Sequence, residues 1–382
     1  MTTHVFIVDE TTLKYHLEYL FAGTGSKDND VDFNGVATTE LHYSTEDKLV
    51  WMMADGCRIR KDDLIIFYLQ AVMNKHEGMF FGVFQAADDC VFLDRNDGCQ
   101  FLKTDLGKSL TFRLKIKPYE VYSKGVTEWA ALDDIKSICS PSQMLWSLIY
   151  RKLKGNRGNT MITIYEAERL INLISAENGH KKITMAPGQS LTYDVNNKCI
   201  AATTASFNYT GRTVALNIVP RLINKYNSKK AHEAHLQMYI TQNIGRGTNM
   251  SLDNALGIAG KKPEWIGNEV SCGVGMQRID VMVSVEESAT KRLLMPIELK
   301  AVPAYADNIR QLTRYIDWIE QYYTPNRPSI IQPVLICKDG KALSATLKSL
   351  FHNFNTRKEI LPLIYIEYTI NGKNIIFNKI PY

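Results

Sequence analysis

The chain has 382 residues, 45 Lys and Arg against 40 Asp and Glu, and a formal net charge of +5 at pH 7. That length is too great for one ordinary core and implies two domains, while the mild basic excess is compatible with a polyanionic partner without requiring one. No apolar run reaches about eighteen residues and Met1 to His4 lacks a signal peptide's charged start, so no membrane partner and a cytoplasmic location are expected; the seven cysteines lack paired spacing and read as reduced thiols, with no zinc site.

Residues 1–135 alternate short apolar runs with polar turns: His4 to Val8, Leu64 to Leu69, Met79 to Phe84 and Leu110 to Ile116. Such spacing predicts a small, mainly β barrel, with a helix from Thr12 to Phe21 that stops at Gly23. Gly23-Thr24-Gly25-Ser26-Lys27 lacks Walker spacing and follows a helix where a strand is needed. Residues 136–224 read as a linker subdomain. One helix starts at Ser140-Pro141 and runs through Leu148 and Ile149; another starts at Thr163 and runs through Ala167, Leu170 and Ile174. The loop between them places Lys152, Lys154 and Arg157 among Gly and Asn residues. Such cations can approach a phosphate backbone and add affinity without sequence information, which makes them candidate DNA contacts, although the bland reading is a solvated turn. Short strands with turns at Asn196-Asn197 and Tyr209-Thr210-Gly211 follow.

Residues 225–382 carry the chemistry. Ser228 reads as the N-cap of a helix running to about Ile244, on which Glu233 falls in register with Leu236 and Ile240. Asp280 lies in the apolar run Arg278 to Val283, and Glu298 and Lys300 lie in the apolar run Leu294 to Lys300. Carboxylates are depleted in strands and rarely buried unless paired or holding a cation. The polar stretch Glu286 to Arg292 reads as a hairpin loop centred on Ala289. If Val285 faces Leu293, Asp280 faces Glu298, and strand alternation puts Glu298 and Lys300 on one side. Two like charges across a strand pair repel; a hard divalent cation between them reverses that sign. Mg2+ takes one or two carboxylates, several waters and substrate phosphate. Three other acidic-x-Lys triplets, at Glu46, Asp134 and Asp339, sit in polar surroundings and read as solvated charge. His232 and His235 flank Glu233 without the spacing of a zinc helix. A long helix is expected from Pro303 to Tyr323, with Gln311 and Tyr315 one turn apart. A buried strand over Ile330 to Cys337, a helix over Ala342 to Phe354, a strand from Leu361 to Tyr368 and a turn at Asn371-Gly372 complete a mixed sheet with helices on both faces.

The order Glu233, Asp280, Glu298-x-Lys300, Gln311-x-x-x-Tyr315 resembles the PD-(D/E)XK, restriction-endonuclease-like superfamily; the helix is similar to its RecB-type subgroup, and Gln277-Arg278-Ile279-Asp280 to NucS-type nucleases. Ile279 stands where the name-giving Pro would be. The resemblance implies an α/β fold for 225–382 and a Mg2+-dependent DNA endonuclease, with Mn2+ as an acceptable substitute. Asp280 and Glu298 would ligate the metal, Lys300 would serve the water, Glu233 would support the metal, and Gln311 and Tyr315 would line the site, with Arg278 as a further DNA contact. Lys61 to Tyr68 followed by Phe81-Gly82-Val83-Phe84 resembles PUA-like and EVE domains, which read bases in an aromatic pocket. Tyr43, Trp51, Phe67 and Tyr68 are its candidates here, with ordinary core as the competing reading. The combined expectation is a restriction or defence enzyme acting on double-stranded DNA, with a homodimer as the general arrangement for cutting two strands. The alternatives are a structure- or mismatch-directed repair nuclease and a DNA-binding protein without cleavage activity.

Overall fold

The computed structural model describes residues 1–25, 43–151, 158–273, 277–288, 291–340 and 342–382. The chain divides into two compact units, residues 1–33 with 51–216 and residues 34–50 with 217–382.

The first unit is built on β1 (Thr3–Val8), β2 (Phe21–Thr24), β3 (Leu64–Leu69), β4 (Met79–Ala86), β5 (Phe92–Leu93), β6 (Phe112–Pro118), β7 (Val126–Thr127), β8 (Asn159–Ile162) and β11 (Val214–Ala215). They form one curled sheet in the order β11-β5-β6-β4-β3-β1-β8, with β2 on β6 and β7 on β4. β1 and β3 run parallel while the other pairs are antiparallel, so the unit is not a simple meander. The hairpin of β9 (Ser190–Asp194) and β10 (Cys199–Thr203) stands apart. The α-helices up to residue 216 are α1 (Glu10–Glu18), α2 (Tyr43–Cys57), α3 (Lys103–Leu106), α4 (Trp146–Arg151) and α5 (Ile164–Glu177) among the described residues.

Several expectations change here. The first helix stops at the Tyr19 cap, Leu20 takes φ +49°, and Phe21–Thr24 pairs with β6, because Phe21 and Ala22 are worth more buried in a sheet than on a helix end. Residues 136–224 are not a separate linker: β8 joins the edge beside β1, and Leu170 and Ile174 of α5 pack into the core with Ile66, Tyr68 and Phe80. The helix expected from Ser140 is broken into a single tight turn, Pro141–Gln143, and α4.

The second unit holds α6 (Val219–Asn227), α7 (Glu233–Asn243), α8 (Met250–Leu256), β12 (Pro263–Cys272), β13 (Gln277–Ser288), β14 (Lys291–Lys300), α9 (Ala306–Trp318), α10 (Thr324–Asn326), β15 (Ile330–Ile331), β16 (Val334–Lys338), α11 (Ala345–Phe354), β17 (Ile364–Asn371) and β18 (Asn374–Lys379). The sheet order is β12-β13-β14-β16-β17-β18, with β14, β16 and β17 parallel and the outer pairs antiparallel. Helices cover both faces. Tyr239 of α7 stacks on Phe377, which sits opposite Tyr368, whereas Phe351 of α11 packs on Tyr365, three residues earlier in β17 and therefore on the other face. The whole chain is thus mixed α/β, a curled sheet plus a separate mixed sheet with helices.

Ser228 does not start a helix; it caps the end of α6, and α7 begins at Glu233 after His232. The long apolar run from Ile330 is two strands, because Gln332-Pro333 interrupts the ladder, Pro333 having no N–H to give. The turn at Asn371-Gly372 forms as expected, with Gly372 at φ +60°.

One buried polar knot ties α4 to α5. Thr163 caps α5 in a capping box with Glu166, and the Glu166 carboxylate also accepts from Ser147 N at 2.9 Å and Ser147 Oγ at 2.6 Å. Glu166→Ala should therefore destabilise the protein by about 2–4 kcal/mol through unpaired buried donors; urea unfolding followed by circular dichroism would read it, and an unchanged midpoint would count against this account.

Candidate active site

The β13–β14 hairpin sets the site. Val285 pairs with Leu293 and Val281 with Ile297, so the next step along the ladder brings Asp280 opposite Glu298. The strands run further than the sequence implies, to Ser288 and from Lys291, and a bulge between Glu286 and Ser288 absorbs the odd residue and preserves the register. Without it every side chain from 285 back to 280 would turn over.

Glu298 is 1 % exposed. Its Oε1 lies 2.5 Å from Lys300 Nζ, and its Oε2 is 2.8 Å from the Tyr315 hydroxyl. That hydroxyl is also 2.7 Å from the Arg278 carbonyl, one proton shared between two acceptors. Asp280 Oδ2 accepts from the Leu299 backbone N–H at 2.7 Å, which fixes the carboxyl beside β14. Lys300 Nζ is 3.7 Å from Glu233 Oε1 at the first turn of α7. Five of the six candidates thus converge: Asp280, Glu298, Lys300, Glu233 and Tyr315. Gln311 does so only by position, one turn before Tyr315; its Oε1 is buried without a hydrogen-bond partner.

The electrostatics are those of an anion-rich pocket. Burial and then the Glu298 charge push the Asp280 carboxyl well above the ordinary range, Lys300 opposing them. Burial likewise raises Glu233, with Lys300 opposing. Burial works against charge on Lys300, but Glu298, Asp280 and Glu233 outweigh it and the ammonium is raised. The Tyr315 hydroxyl is raised by burial and by Glu298, so it stays a donor.

Glu269 and Gln237 join the site unforeseen. Glu269 sits on β12 between the pairs Asn268–Val281 and Val270–Ile279, hence beside Asp280, with φ +51°. That left-handed conformation is costly for a Glu. Its Oε2 is 3.0 Å from Arg278 Nη1 and its Oε1 accepts from Gln237 Nε2 at 3.0 Å; Gln237 also donates to the Asp280 carbonyl at 2.8 Å. The sequence signal is slight, since Glu269 follows Gly267 and Asn268 and no unbroken apolar run surrounds it.

Other candidates fall elsewhere. Lys152, Lys154 and Arg157 lie outside the described residues, as does the side chain of Tyr43. Arg278 is exposed beside the site, paired to Glu269. Trp51 is partly buried on α2. Phe67 and Tyr68 are both fully buried and, as neighbours on β3, point to opposite faces: Phe67 against Phe6 and His16, Tyr68 against Phe80 with its hydroxyl 2.7 Å from Glu128 Oε2. They are core, and they do not line a common base pocket.

Among the described residues, no three His, Cys, Asp or Glu side chains are grouped to hold a metal ion unaided. Asp280 and Glu298 nevertheless offer hard oxygen donors whose mutual repulsion a divalent cation would relieve. Two carboxylates completed by water and substrate oxygen is the ligation Mg2+ favours, so the residues fit the ion.

A raised carboxyl binds its proton more tightly folded than unfolded. The metal-free protein should therefore lose stability as pH climbs from below the ordinary value of 3.8 through the raised one. Asp280→Asn keeps an acceptor for Leu299 and removes that loss. In EDTA near neutral pH its Tm should exceed wild type, by about 2–4 °C for each kcal/mol relieved, while Mg2+ should raise the wild-type Tm and not the variant's. Equal melting of both proteins in EDTA would show that the carboxylate pair carries no strain. No model of a known protein family matches the chain, and no curated protein matches it.

Proposed function

We propose that the second unit is a Mg2+-dependent DNA endonuclease of the PD-(D/E)XK kind, with Asp280 and Glu298 as metal ligands and the first unit, PUA/EVE-like in the same reading, as its recognition module. The observation that carries the reading is the sharing of one strand-pair face by Asp280, Glu298 and Lys300, with Tyr315 holding Glu298 from a helix. Buried like charges at that density need a chemical reason.

Bound there, the ion would polarise a phosphoryl oxygen and make water a better nucleophile at neutral pH. Lys300 remains an ammonium beside Glu298, so its part is to orient the water and offset charge on the phosphorus in flight; proton removal falls to another group. Glu233, half-exposed, raised by burial and 3.7 Å from Lys300, is the carboxylate suited to take that proton. Gln237 and Glu269 keep Asp280 and Arg278 in place from the neighbouring elements.

The biological setting we favour is restriction or defence. A repair nuclease directed to mismatches or junctions is the second reading, supported by the Gln277-Arg278-Ile279-Asp280 phrase ahead of the site.

Asp280→Ala, Glu298→Ala and Lys300→Ala should each lower Mg2+-dependent cleavage of DNA by about 100-fold or more while leaving DNA binding nearly intact. Agarose-gel cleavage and mobility shift on the same preparations would separate the two effects. Cutting that persists in EDTA, or in the Glu298→Ala protein, would defeat the assignment. The rate should rise with pH through the raised carboxyls, since the ionised forms are the working ones.

A further inference from the structure

The outward side of α9 carries groups that hydrolysis leaves unused. Gln311, Arg314 and Trp318 stand at i, i+3 and i+7 and share one face of the helix. Two shallow cavities adjoin there. One, of about 380 Å3, is lined by Tyr305, Asp307, Arg310, Gln311 and Arg314; the other, of about 290 Å3, by residues that include Cys272, Gln277, Arg314, Asp317 and Trp318. Arg314 belongs to both.

The neighbouring charges already have partners. Asp307 pairs with Arg310 at 3.0 Å, Asp317 with Arg357 at 2.8 Å, and Arg278 with Glu269 at 3.0 Å. Among the described residues the exposed Arg314 forms no ion pair. The buried Gln311 Oε1 is also unsatisfied. Trp318 is partly exposed, its ring backed by Tyr322 at 5.2 Å between centroids. The second cavity reaches the strands that carry the site: Cys272 and Gln277, which line it with Arg314 and Trp318, pair across β12 and β13 next to Arg278, whose carbonyl accepts from the Tyr315 hydroxyl at 2.7 Å.

A free guanidinium suits a phosphate oxygen pair. An aromatic face one helical turn away suits a nucleobase, and stacking of that kind tolerates any base but requires one that is unpaired. We propose that this stripe holds one unpaired nucleotide of the strand being cut, its phosphate on Arg314 and its base against Trp318. The substrate class is then DNA with an unpaired segment beside the scissile bond, as in a single strand, a flap or a mismatch bubble. This rests on the nuclease reading, narrows its substrate, and weighs toward the second of the two settings, cleavage at mismatches or junctions, over restriction of plain duplex.

The test is fluorescence anisotropy with the whole 382-residue chain in EDTA, using a labelled single-stranded oligodeoxynucleotide of about 15 residues and the same sequence as a blunt duplex. Wild type should bind the single strand more tightly than the duplex. Trp318→Ala should weaken single-strand binding about tenfold and spare the duplex, and Trp318→Phe, which keeps a ring, should recover most of the loss. Arg314→Ala should weaken binding and reduce the salt slope by about one. A deoxynucleoside monophosphate at equal concentration should compete poorly. Equal affinity for single strand and duplex, wild-type binding by both alanine variants, a Trp318→Phe protein as weak as Trp318→Ala, or a mononucleotide that binds as well as the strand would each overturn the proposal. Failure of the nuclease reading would register separately, as wild type that binds DNA and does not cut it with Mg2+.

Discussion

Two carboxylates facing each other across a strand pair repel, and the second unit is arranged around the means of holding Asp280 and Glu298 together regardless. The Leu299 N–H, the Tyr315 hydroxyl and the Lys300 ammonium each take one carboxylate oxygen, three donors from three directions. Two are charge-independent of salt and pH over the physiological range; the third is an ammonium that the carboxylates themselves keep protonated. Under the proposed function, binding of a cation would offset the repulsion between the two carboxylates and so couple ligand binding to stability.

The topology explains why these groups meet at this end of the sheet. β14 is central, antiparallel to β13 and parallel to β16, and Lys300 is its last residue, so the charged cluster lies toward the carboxyl end of the parallel strands, where open α/β sheets commonly place ligands. α7 begins there and α9 follows the strand directly, which delivers Glu233 to one side of Lys300 and Tyr315 to Glu298. Gln311, Arg314 and Trp318 come with the same helix, so the proposed chemistry and the proposed nucleotide stripe share one support.

In the first unit the aromatic run of β3 is core and not a pocket. Leu64 to Leu69 is apolar at every position because β3 is buried on both faces, beside parallel β1 and antiparallel β4. Phe67 and Tyr68 fill two different core layers, and the alternation that places them apart also removes them from any shared cleft.

Residue order alone determined the β13–β14 hairpin and the face-sharing of Glu298 with Lys300, because period-two alternation and a polar turn leave little freedom, and helix spacing alone put Tyr315 one turn from Gln311. The same spacing failed at element ends: Ser228 looked like a cap and closes α6, Phe21 looked helical and pairs with β6, and Pro333 split a run of apolar residues, since those choices depend on which distant surface each residue can bury. Only the tertiary structure brought Glu269 and Gln237 to Asp280, placed Glu233 against Lys300 and left Arg314 without an ion pair among the described residues. Periodicity reports which side of an element a residue occupies; which partner stands across from it is set by the packing of elements far apart in the chain.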